Sequence, residues 1–149
     1  MSKPKLRKRL LGALPAQVYP AQDLVVTASC NGQNAADLDI PTIGAGTFHW
    51  DVDYRCGGTG TAKLMFANNT RHAAAPDGAT AEQCADVLRR SGVGDDQAVI
   101  PLSGVVLCVQ TTTDASERDE RPPRLVRLAV TSVDDNEQLT INVEAWELD

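Results

Sequence analysis

The chain reads as all-β: an antiparallel β-sandwich of about seven strands with one short helix. Three observations predict this class. Apolar and polar residues alternate with a period of two over most of the chain. Glycine- and aspartate-rich breaks separate the alternating runs. Only the segment after Thr80 carries helix start and stop signals.

Composition sets the frame for these elements. With 149 residues, 42% apolar and 23% charged, the chain has the make-up of one globular domain. A chain of this length can bury about 70% of its unfolded surface on folding, so its core need not depend on a metal or on disulfides. Its apolar runs stop after four or five residues, far short of the ~18 that a membrane-spanning helix needs. This excludes a multi-spanning helical transporter.

Residues 1–12 hold Lys3, Lys5, Arg7, Lys8 and Arg9 and no acid, a local +5. The rest of the chain carries nine basic and twenty acidic residues, so a net charge of −6 conceals a body of −11. The opening looks like a secretory signal, but its apolar stretch ends at Pro15 after five residues, where such a core needs roughly 7–15. Residues 1–21, broken by Pro15 and Pro20, are therefore read as a basic arm and linker that suits an acidic lipid surface or an acidic partner. The sandwich is read over residues 22–149. Its acidic body disfavours phosphate backbones, which argues against specific nucleic-acid binding by the folded part.

Within the body, Gln22–Cys30 places Leu24, Val26, Ala28 and Cys30 on one face. Ala36–Ile40 follows, with Leu38 and Ile40 inward and Asp37 and Asp39 outward. The clearest alternation is Thr47–Cys56: Phe48, Trp50, Val52, Tyr54 and Cys56 share a face opposite Thr47, His49, Asp51, Asp53 and Arg55. Gly57 to Gly60 then turns the chain into Thr61–Ala67. Matching apolar faces pairs Tyr54 with Ala62, Val52 with Leu64 and Asp53 with Lys63.

Thr80 and Gln83 form a T-x-x-Q capping box, Glu82 sits in the first turn, and Arg89 and Arg90 precede Gly92. A helix to about Ser91 follows, with Cys84, Val87 and Leu88 on its buried face. Val105–Thr113 is the next strand, and the polar, proline-ended Asp114–Pro123 is a loop. Arg124–Val133 and Gln138–Leu148 form a hairpin. Keeping Val126, Leu128 and Val130 with Ile141, Val143 and Ala145 requires an odd-sum register. A two-residue Asp135-Asn136 turn supplies it, pairing Val130 with Ile141, Leu128 with Val143, Thr131 with Thr140 and Arg127 with Glu144.

Cys30, Cys56, Cys84 and Cys108 lie 26, 28 and 24 residues apart, with no C-x-x-C pair. That spacing argues against a structural zinc site and fits two disulfides in an oxidising compartment, with three possible connectivities. Cys108 on its strand is the natural partner for Cys84 on the helix, which leaves Cys30 for Cys56. Four reduced thiols in the cytoplasm are the alternative.

The sharpest chemical constellation is acidic. If Ala36–Ile40 pairs with Thr47–Cys56, Asp39 lies opposite His49 and Asp37 opposite Asp51, with Asp53 further along. Like charges so opposed invite a hard cation, and calcium is the oxygen-ligand choice. The plainer reading makes these acids the solvated faces of two outer strands, neutralised by His49, Arg55 and Lys63. No nucleophile elbow occurs, and the cysteines read as structural, so catalysis is poorly supported. The Asn68-Asn69-Thr70 sequon marks an exposed loop, and His72 is placed in that loop region. Trp146 falls on the polar parity of its strand, where an exposed tryptophan can anchor a partner.

The Cys30 strand, Asp37-Leu38-Asp39-Ile40, the Cys84 segment, Gly104 to Thr111 with Cys108, Arg127 to Thr131 and the terminal Glu144-Ala145-Trp146 form a pattern over about residues 24–148. It resembles β-rich extracytoplasmic domains of actinobacterial membrane-tethered proteins. The resemblance implies a sandwich with paired cysteines outside the cytoplasm and lends no catalytic residues. The expectation is a non-catalytic binding, sensing or assembly module that needs no cofactor and whose partner is another protein. Two alternatives stand beside it: a calcium-dependent protein or enzyme using Asp37, Asp39, His49, Asp51 and Asp53, and a cytoplasmic regulatory or scaffold domain with reduced cysteines.

Overall fold

The structure is a computed structural model that describes residues 15–30, 35–43, 50–57, 60–94, 96–111, 123–135 and 138–148. Along these run β1 (Gln17–Thr27), β2 (Ala36–Asp37), β3 (Thr42–Ile43), β4 (Val52–Gly57), β5 (Gly60–Phe66), β6 (Arg71–Ala74), helix α1 (Ala81–Ser91), β7 (Val106–Gln110), β8 (Arg124–Val133) and β9 (Gln138–Glu147). The strands form two antiparallel sheets, ordered β1-β9-β8-β7-β6 and β3-β2-β4-β5. The expected sandwich is present, with nine described strands where about seven were expected.

One core lies between the sheets. Leu107 and Val109 of β7, Val126, Leu128 and Val130 of β8 and Leu139, Ile141, Val143 and Ala145 of β9 meet Val52, Tyr54, Ala62, Leu64 and Phe66 of the second sheet. Side chains of the opposite parity build a second, smaller core under the helix: Ala73, Cys108, Leu125 and Trp146 against Ala79, Ala81, Cys84 and Leu88. The five-stranded sheet is thus covered on both faces over the helix half. This explains why β7 is a nearly continuous apolar run rather than an alternating one.

The helix begins and ends where its sequence signals say. Thr80 accepts from the Gln83 amide and Gln83 from the Thr80 amide, a complete capping box, and the Gly92 amide donates to Leu88 O. Two disulfides join Cys30 to Cys56 and Cys84 to Cys108, the second crosslinking α1 to β7.

Several expected details are corrected. The first strand starts at Gln17, within the segment read as linker, and buries Tyr19. Pro20 is tolerated because β1 is an edge strand whose register slips between Tyr19 and Gln22. In the β4–β5 hairpin Tyr54 opposes Leu64 and Val52 opposes Phe66, two residues beyond the expected register. The parity is as expected, but a bulge that sets Thr61 and Ala62 of β5 against Cys56 of β4, and a loop closed with Gly57 opposite Gly60, move the partners. At the C-terminal hairpin Val130–Ile141, Leu128–Val143 and Arg127–Glu144 pair as expected. Thr131 is instead the bulged residue: Ser132 takes Thr140 as partner, and the Thr131 hydroxyl donates to Thr140 O. The turn is accordingly one residue longer, with the Asp134 amide donating to Gln138 O.

The open side of the sandwich is sewn shut by a segment the sequence left unassigned. Val93 bridges to His72 on β6, the edge of one sheet, and Val99 bridges to Leu64 on β5, the edge of the other. Both edges are thereby shielded from pairing with another chain.

Candidate metal centre

The acidic constellation is assembled, but in the interior. Strand β2 stops after Asp37 because the Asp37 Oδ1 accepts from the amides of Asp39 (2.9 Å) and Ile40 (3.4 Å), an Asx turn that offers the backbone an alternative to the ladder. The turn reverses the expected facing. Ile40, expected inward, is 52% exposed, whereas Asp39, expected outward, is buried.

Ala36 pairs with Val52, and the Asp51 amide donates to Ala36 O at 2.7 Å. This is the register that brings Asp37 beside Asp51. The Asp51 Oδ2 accepts from the Leu38 amide at 2.7 Å, pulling the turn over the entry to β4. From the other sheet, the Thr111 hydroxyl donates to Asp39 Oδ1 at 2.7 Å and accepts from the Arg124 amide at 2.6 Å. Tyr19 donates its hydroxyl proton to Leu38 O at 2.8 Å.

One carboxylate oxygen from each of Asp37, Asp39 and Asp51 lies within 4.8 Å of the others. Oxygens bound to one calcium at about 2.4 Å stand no more than about 4.8 Å apart, so the cluster has the dimensions of a calcium site. All three residues are buried, and Asp51 is fully so, at 0% exposure. Its Oδ1 has no hydrogen-bond partner among the described residues.

The electrostatics agree with the geometry. Burial, then the charge of Asp39, pushes the Asp51 carboxyl up to about 8, against the opposing effect of the Leu38 amide. Burial and the charges of Asp51, Asp39 and Asp37 likewise hold the Tyr19 phenol well above its ordinary range.

The solvated-face reading of these acids is therefore corrected: Asp37, Asp39, Asp51 and Asp53 are all buried. Asp53 stands outside the trio, with its Oδ2 on Arg55 Nε at 2.7 Å. His49, with Phe48, the basic arm and most of the Asp114–Pro123 loop, lies outside the described residues. Sequence reasoning missed Tyr19 and Thr111. Tyr19 was masked by the proline after it, and Thr111 looked like any strand residue.

Two further expectations are revised. Trp146 is not an exposed anchor: at 8% exposure it packs under α1, because the helix covers the face its parity presents. His72 lies on β6, buried, with its ring stacked on Phe66 at 4.1 Å and Nε2 2.8 Å from Gln97 O.

No protein-family model, curated protein or solved structure matches the chain.

Proposed function

We propose that this chain is a non-catalytic binding module of an extracytoplasmic compartment that takes calcium at Asp37, Asp39 and Asp51 and acts on a protein partner. The observation that carries the reading is the buried trio. Two like charges about 4 Å apart repel by roughly 4 kcal/mol even at an effective dielectric of 20. Three such carboxylates inside a protein call for protons or a cation. Hard oxygen donors at this spacing favour calcium.

The disulfides support an oxidising compartment. The absence of catalysis is argued from the fate of the candidate groups. The cysteines are consumed in disulfides, and the His72 ring is stacked and hydrogen-bonded in the core. A protein partner is assigned to the exposed apolar side chains, among them Val25 at 50% on the outer face of β1 and Leu102 at 63%, next to Ser103, whose hydroxyl donates to Thr131 O.

Calorimetric titration of chelator-treated protein with calcium, alongside its melting temperature, tests the reading. Saturable binding in the micromolar-to-millimolar range and a rising Tm are expected, both lost in Asp39→Asn. An unchanged Tm and no binding heat at about 10 mM calcium overturns it.

A further inference from the structure

The edges of the sandwich are guarded unequally. Val93 and Val99 cover β6 and β5, whereas β1 ends the five-stranded sheet and, among the described residues, has β9 as its one strand neighbour. Proteins that stay apart blunt such an edge with proline, bulges or charge. In β1 those devices fall in the first half, at Pro20 and at the register slips between Gln17 and Gln22. From Gln22 to Thr27 the ladder with β9 is unbroken. The one charge in that run, Asp23, is turned to its own sheet, where its cross-strand partner Asn142 donates Nδ2 to Asp23 Oδ1 at 3.0 Å. Past Thr27 the chain leaves this edge, since the Ser29 amide donates to Tyr54 O and the Cys56 amide to Ser29 O in the other sheet.

The unguarded run is complementary to itself. Val26 is buried and Leu24 half-buried against the core between the sheets, while Asp23, Val25 and Thr27 lie exposed on the outer face. Two copies that join β1 to β1 antiparallel, about a two-fold axis normal to the sheet, oppose residues of like facing. Centring the pair on Val25 opposes Val25 to its own copy, Leu24 to Val26 and Asp23 to Thr27. Apolar then meets apolar on both faces, and the carboxylate meets a hydroxyl. The neighbouring registers fit less well. Centring on Asp23 opposes two carboxylates, centring on Leu24 sets Asp23 against Val25, and centring on Val26 carries Asp23 past the end of the strand.

Resting on the reading of this chain as a module for a protein partner, we infer that the partner at the β1 edge is a second copy of the chain, paired β1 to β1 in the register centred on Val25. The two five-stranded sheets become one continuous sheet. Backbone amides and carbonyls along the edge supply the affinity, and the alternating side chains of residues 23–27 fix the register.

Sedimentation equilibrium of the full chain in chelator reads the oligomeric state without calcium, so its outcome is separate from that of the calcium titration. A reversible monomer–dimer equilibrium with Kd of about 10–100 µM is expected, in keeping with an interface at the small end of the specific range. Residue 25 faces its own copy across the axis, so Val25→Lys and Val25→Glu each oppose like charges there. Each is expected to weaken the dimer at least about tenfold, while an equimolar mixture of the two regains it as a heterodimer. Circular dichroism and Tm are expected to stay at parent values in both, because the Val25 side chain is half exposed. Val93→Lys, on the opposite edge beside His72, is expected to leave the equilibrium unchanged. A chain that stays monomeric at about 500 µM, a dimer that survives Val25→Lys, a mixture that remains monomeric, or loss of the dimer in Val93→Lys overturns the inference.

Discussion

Asp51 is buried completely, accepts one backbone amide at Oδ2, has no hydrogen-bond partner at Oδ1 among the described residues, and keeps one carboxylate oxygen within 4.8 Å of oxygens of Asp37 and Asp39. Asp51→Asn separates its two roles. The amide oxygen can keep the Leu38 bond, and the amide N–H can donate to the neighbouring carboxylates. In chelator the variant is therefore expected to melt no lower than the parent, while its Tm no longer responds to calcium. Parallel melts with and without calcium check this, and a calcium response equal to the parent's refutes it. His72 supplies a pH dependence. Burial holds its pKa below the ordinary 6.5, against the pull of the Gln97 and Gly94 carbonyls. The folded ring stays neutral while the unfolded chain's imidazole protonates, so its contribution is complete above about 6.5 and is lost as pH falls below that value. Urea midpoints from pH 7 to pH 5 are expected to drop, by at most about 1.4 kcal/mol per pH unit from this group, and to drop less steeply in His72→Gln.

Among the elements, α1 is the most locally determined. Its capping box, first-turn Glu82 and last-turn Arg89 and Arg90 lie within the segment itself. Thr80→Ala is expected to cost about 1 kcal/mol in chemical denaturation, since one helix amide loses its acceptor. The strands were legible to different depths. Residues 126–130 and 141–145 announce their pairing because apolar parity allows only one register. The two hairpin bulges, at Thr61–Ala62 and at Thr131, were not legible, since an inserted residue leaves the alternation on either side intact. Strand β2 was overestimated for a related reason. Asp37 can serve a ladder or an Asx turn, and period-two alternation does not distinguish them.

At the scale of the molecule, the helix and both sheets are held as three layers, and Cys84–Cys108 joins the outer helix α1 to β7 of the middle sheet. The bridge spans a separation of 24 residues, worth roughly 3 kcal/mol in the chain-entropy description. Replacing both cysteines by alanine is expected to lower stability by about that amount, and to raise amide hydrogen exchange in α1 more than in β8 and β9. Uniform exchange across helix and sheet would show that the bridge acts on the unfolded chain alone.

The sequence by itself determined the β class, the single helix with its caps and the C-terminal pairing of residues 126–130 with 141–145; among three connectivities it favoured the cysteine pairs that the structure shows. These rest on local hydrogen bonding and on side-chain parity, which neighbouring residues decide. Only the tertiary structure decided which polar residues are inside. Asp37, Asp39, Asp51 and Trp146 all occupy positions that alternation assigns to solvent, and each is covered by something distant in the chain: the Asp residues by the folded-back turn and Thr111, Trp146 by α1. Periodicity reports that two faces differ; it does not report that a second layer has been laid over the polar one. The candidate calcium centre exists because that second layer is there.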